Sequence, residues 1–168
     1  MRYTIRHSFN IDADTFWNKL FFDPAYNQAL FESHLKFNVY RVLKLEHASD
    51  GSVHRRVECA PPIEVPAVVK KIVGENTSYI EDGRFDPKTQ RFRIEVTPKV
   101  GADKIKSVLT LSVEPRGPKR IERVAEVDTT VNVFGVGKVI ELFIEKQMRA
   151  TYDSASDFTQ LWIAQKGL

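Results

Sequence analysis

Seven side chains of the chain stand where strand alternation calls for apolar ones: His7, Arg41, Arg55, Glu81, Ser107, Arg123 and Thr129. A charge on the buried face of a sheet is costly unless an opposite charge or a hydrogen-bonding guest meets it. Two readings follow. In one, Glu81 accepts the donor fork of Arg41, Arg55 or Arg123 in an internal ion pair, or a β-bulge turns an arginine outward. In the other, an arginine faces an anionic or carbonyl-bearing ligand. Near the C-terminus, Gln147 and Thr151 interrupt an apolar helical stripe of Ile140, Phe143, Ile144, Met148, Ala155, Phe158 and Trp162. Such a threonine either bonds back to a carbonyl one turn earlier or offers its hydroxyl to a guest, and the glutamine either touches solvent or does the same. The candidate ligand-binding set is therefore Arg41, Arg55, Glu81, Arg123, Phe143, Gln147 and Thr151.

Other chemistries find little footing. His7, His34, His47 and His54 lack the short spacing of metal ligands, Cys59 stands alone, and no Gly-x-Ser-x-Gly elbow occurs. No catalytic set, metal or cofactor is expected. A cyclase-type enzyme stands as the alternative, with His7, Glu81, Arg123, Gln147 and Thr151 moving protons around an oriented chain. Gly135-Val136-Gly137-Lys138 has neither the length nor the following Ser or Thr of a phosphate loop, so tight strand-to-helix packing is its expected use.

The elements that must position these groups are legible in the spacing. Residues 2–9 alternate as a half-buried strand. Asp12 is placed to cap a helix carrying Phe16, Trp17 and Leu20, and Asp23-Pro24 starts a second with Tyr26, Leu30 and Phe31 inward. A hairpin follows, with Phe37, Val39, Leu43 and Leu45 on one face before the turn at 49–52 and Val53, Val57 and Cys59 after it. Pro66 to Val73 reads as a short helix with proline at its start and Gly74 at its stop; either it plugs one end of the sheet or it serves as a lid whose Lys70 and Lys71 meet a membrane surface. Strands at about 77–86, 90–99, 103–114 and 119–133 lead to the Gly135-Val136-Gly137 corner and a helix running to about Gln165.

A chain of 168 residues needs no disulfides to bury a core. Its one cysteine suits a reducing compartment, so the cytoplasm is the expected location. The first residues lack the apolar run of a signal peptide, and no stretch approaches the length of a membrane span. The net charge of +3 is spread among interleaved acids and bases, which argues against nucleic acid as a partner.

The order of one strand, two short helices, six antiparallel strands and a long closing helix resembles the helix-grip fold of the START-like superfamily, which includes polyketide cyclases, plant pathogenesis-related proteins and lipid-transfer domains. Locally, Pro61-Pro62 with Val65 to Gly74, and Val131 to Glu141, resemble a bacterial branch of that superfamily whose function is unknown; that branch often carries proline where Phe134 stands. The resemblance covers residues 1–168 as a single START-like α+β domain. It implies a curved antiparallel sheet of about seven strands wrapped around the long helix, with an apolar ligand cavity between them. The expected function is binding or carriage of a small hydrophobic molecule, lipid-like or polyketide-like. A cyclase or aromatase, and a protein-interaction module without a cavity, are the alternatives. The superfamily supplies no catalytic residues to carry over.

Overall fold

A computed structural model describes residues 1–75 and 77–168, with only the backbone of Val73; the side chain of Val73 in the proposed short helix lies outside the described residues. Seven antiparallel strands form one sheet in the order β1-β7-β6-β5-β4-β3-β2. They are β1 (Arg2–Phe9), β2 (Val39–His47), β3 (Val53–Ala60), β4 (Tyr79–Asp86), β5 (Arg91–Pro98), β6 (Ile105–Gly117) and β7 (Arg120–Val131). Strands β2 to β7 run as a meander, and β1 closes against β7. This is the expected α+β architecture, with a long helix, α4 (Gly137–Lys166), lying on the sheet.

The short helices start where their caps dictate. Asp12 accepts from the Thr15 amide at 2.7 Å to open α1 (Ala13–Phe16), and Asp23 accepts from the Tyr26 amide at 2.8 Å to open α2 (Pro24–Gln28). Both then widen into π-helical turns, Trp17–Phe21 and Ala29–His34, which the apolar spacing does not predict. The wider turn sets Trp17, Phe21 and Phe22 against Phe85 and Phe92 of the sheet. A third short helix, α3 (Ala67–Val73), bridges β3 and β4 and stops at Gly74, as the Pro66 and Gly74 signals require.

Strand β2 departs from the expected facing. A bulge between Val42 and Lys44 shifts its register against β3, so Leu45, not Arg41, stands opposite the inward Arg55, while Arg41 pairs with Glu58 on the outer face. Leu43, expected on the inner face with Phe37, Val39 and Leu45, is left 45% exposed. The bulge breaks period-two alternation, so one strand changes face midway.

At the last corner, a Cβ on Gly137 would sit 2.5 Å from the Val131 carbonyl oxygen, which explains why only glycine fits where the helix leaves the strand. The Glu141 carboxylate fixes the same joint by accepting from the Val131 amide at 3.1 Å. Tight packing is thus the use of this corner.

Two apolar clusters lie between α4 and the sheet. The larger gathers Phe9, Phe16, Trp17, Leu20, Phe92, Leu111 and Ile121, with Tyr152, Phe158 and Trp162 from the C-terminal half of the helix packed against it. The smaller gathers Val65, Val69, Ile105, Val131 and Ile140 at the helix's start, with α3 contributing Val69 as a plug.

Candidate ligand cavity

Between those clusters the interior is open. A cavity of about 190 Å³ lies under the N-terminal half of α4. One water needs roughly 10–15 Å³ of such space, so the void takes a guest larger than a few waters. Its wall is chiefly apolar: Ile63, Val65 and Val69 before and within α3, Val96 and Ile105 on the sheet, and Ile140, Phe143, Ile144 and Met148 on the helix.

Of the candidate residues, Glu81, Phe143, Gln147 and Thr151 line this space. Phe143, Gln147 and Thr151 fall one helical turn apart on the inward stripe, and Glu81 faces in from β4 beside Tyr79, which shares its parity. Thr151 does not bond back to a carbonyl; that role falls to Thr159, whose hydroxyl donates to Ala155 O at 2.6 Å and meets the Tyr26 hydroxyl at 2.6 Å. Among the described residues neither Gln147 nor Thr151 makes a side-chain hydrogen bond, so both polar ends face the cavity unengaged. Ser107 also lines it, but its hydroxyl is held by Thr129 at 2.8 Å.

The arginines divide three ways. Arg41 lies outside the cavity: its guanidinium donates to Glu58 on the outer face, where Lys99 joins the same carboxylate, and its side chain is 66% exposed. The bulge alternative therefore describes Arg41. Arg55 is buried, and its Nη2 stands 3.8 Å from Glu81 Oε2, which selects it as the ion-pair partner among the three. The pair is diagonal, because Arg55 is in register with Gly83 and Glu81 with Val57. Arg55 also donates to the Phe21 carbonyl at 3.0 Å and covers the Phe21 ring at 4.4 Å from its centroid. Burial pushes the Glu81 carboxyl above the usual range, and Arg55 draws it only partly back.

Arg123 sits elsewhere, in the filled region beneath Tyr152, 4.8 Å from that ring's centroid. Its Nη2 donates to His7 Nδ1 at 2.9 Å, and His7 Nε2 donates in turn to Asp153 Oδ1 at 2.9 Å. Burial and the Arg123 charge hold the His7 imidazole below its ordinary value, consistent with a neutral ring that accepts on one nitrogen and donates on the other. Burial pushes the Tyr152 phenol up to about 12. Sequence reasoning missed Tyr152 and Asp153, whose helical spacing places them beside the inward stripe, and it passed over Tyr79 on the cavity wall. The parity shared with Glu81 was the available signal for Tyr79.

Among the described residues no three His, Cys, Asp or Glu side chains come together as metal ligands, and no helix is long and apolar enough to cross a membrane.

A family model described as "Protein of unknown function (DUF2505)" matches residues 4–163. The chain belongs to the DUF2505 family. No curated protein matches this DUF2505 chain. Among solved structures, its fold is similar to that of a norcoclaurine synthase point mutant from Thalictrum flavum in complex with a transition-state analogue, at 17% identity and TM-score 0.67 over 100% of this chain and 98% of the other. It is similar to the Zhui aromatase/cyclase from Streptomyces sp. R1128, at 11% identity and TM-score 0.60 over 94% and 93%. It is also similar to a START superfamily protein from Mycobacterium smegmatis, at 12% identity and TM-score 0.56 over 98% and 97%. At these identities the likeness establishes the fold, and that fold is the START-like helix grip.

Proposed function

We propose that this DUF2505 protein binds a small, mainly apolar molecule in the cavity beneath the first half of α4. The observation that carries the reading is the void itself: an apolar space of about 190 Å³ with unengaged polar ends of Gln147 and Thr151 on its wall. Dry apolar cavities invite apolar guests, and a few placed polar groups orient them. Glu81, Phe143, Gln147 and Thr151 are the proposed contacts, with Arg55 acting behind Glu81.

The proteins of similar fold include a norcoclaurine synthase and an aromatase/cyclase. A second reading, proton transfer on the guest, is favoured here by one observation, the half-buried Glu81 carboxyl on the cavity wall, which burial pushes above the usual carboxylate range. The exposed Lys70 and Lys71 on α3, beside the plug, are the proposed place for passing contact with an anionic membrane surface. The proposed setting is the cytoplasm, without nucleic acid as partner.

Titration with N-phenylnaphthylamine, a neutral apolar dye, tests the binding reading. One saturable site is expected, lost when Ile144→Trp fills the cavity while the fold and thermal stability persist. Non-saturable binding, or binding that Ile144→Trp leaves intact, would refute it.

A further inference from the structure

The head group of the guest follows from the charge on the cavity wall, an inference that rests on the binding reading above. Among the described residues Glu81 is the one carboxylate lining the space, and no lysine, arginine or histidine lines it. The nearest buried cation, Arg55, stands behind Glu81 at 3.8 Å. A charge-assisted hydrogen bond is shorter, roughly 2.7–2.9 Å, so this contact lends charge without a hydrogen bond. Arg55 Nη1 donates to the Phe21 carbonyl, and its plane covers the Phe21 ring. Apart from this ion pair, no described residue donates to Glu81, whose side chain keeps 19% of its surface open where it borders the void.

A carboxylate removed from water calls for donors, and here the wall offers Glu81 no cation and no described side chain hydrogen-bonds to it. Gln147 and Thr151, projecting from α4 into the same space, carry oxygens able to accept from a guest. We infer that the cavity selects an apolar guest bearing a protonated amine directed at Glu81, with Gln147 and Thr151 accepting its remaining donors, and rejects the same guest ending in a carboxylate. An ammonium supplies three donors and a compensating charge. A guest carboxylate would meet Glu81 as a like charge in a low-dielectric space. The polarity is opposite to an arginine meeting an anionic ligand, because Arg41 faces outward, Arg55 is held by the aromatic floor and Arg123 lies under Tyr152.

Competition for bound N-phenylnaphthylamine by octylamine, octanol and octanoate at mildly alkaline pH tests this. Octylamine is expected to displace the dye at concentrations lower than octanoate by at least about ten-fold, the scale of one desolvated charge contact, with octanol between them. Glu81→Gln is expected to remove the advantage of octylamine over octanol. The wild-type ranking decides even if that variant fails to fold: octanoate binding as tightly as octylamine overturns the inference. Equal displacement by all three overturns it too, while leaving apolar binding intact. Failure of the dye itself to bind refutes the binding reading and this inference with it.

Discussion

The two halves of α4 cover two different interiors. Under its C-terminal half, Ala155 and Thr159 are buried against a continuous aromatic core in which several polar groups pair: Tyr26 with Thr159, Arg123 with His7, His7 with Asp153. Under its N-terminal half, Phe143, Gln147 and Thr151 border empty space, and Gln147 and Thr151 make no side-chain hydrogen bond among the described residues. The same helix, with the same inward stripe, thus builds stability at one end and leaves it unbuilt at the other. A side chain's role in this fold is set by which half it faces.

Truncations should separate the halves most sharply. Phe92→Ala, at a ring 1% exposed that occupies the space a Cβ on Gly83 would enter, is expected to cost about 3–5 kcal/mol in urea denaturation. Phe143→Ala, at a ring that is only partly buried on the cavity wall, is expected to cost roughly 1 kcal/mol while weakening dye binding. Equal costs at the two sites would erase the distinction between a filled and a hollow half.

Paired threonine substitutions sharpen it. Thr159→Val strands the Tyr26 hydroxyl and should lose about 1–3 kcal/mol. Thr151→Val strands nothing in the empty protein and should stay within about 0.5 kcal/mol, changing guest affinity instead.

The smallest effect is a pH dependence that takes opposite sign in the two halves. The folded-state value of His7 is lowered from 6.5, so the unfolded chain binds the proton first. The stability contributed by the neutral ring is complete above 6.5 and declines as pH falls from there toward the folded value. His7→Gln should flatten that limb of the denaturation profile. Glu81 behaves with the opposite sign: its raised folded value makes its contribution greatest at acid pH and lost as pH rises through that value.

What was legible in the chain was local. Asp12 and Asp23-Pro24 declare their helices because a cap is a contact over three residues, and the inward stripe of α4 is a matter of spacing alone. The facing of Arg41 was not, because the bulge at Val42/Lys44 belongs to the pairing of two strands. Nor was the choice of Arg55 for Glu81, which follows from the diagonal that the β3-β4 register creates. The π-helical widening of both short helices answers to the aromatic surface they pack on, which no window of their own sequence contains.

Isoleucine methyl NMR with added octylamine tests the central claim most directly, since Ile63, Ile105, Ile140 and Ile144 line the hollow half while Ile5, Ile11, Ile94 and Ile121 belong to the filled one. Saturable shifts confined to the first four are predicted. Shifts centred on the second four, or on no isoleucine at all while the ligand binds, would contradict the account.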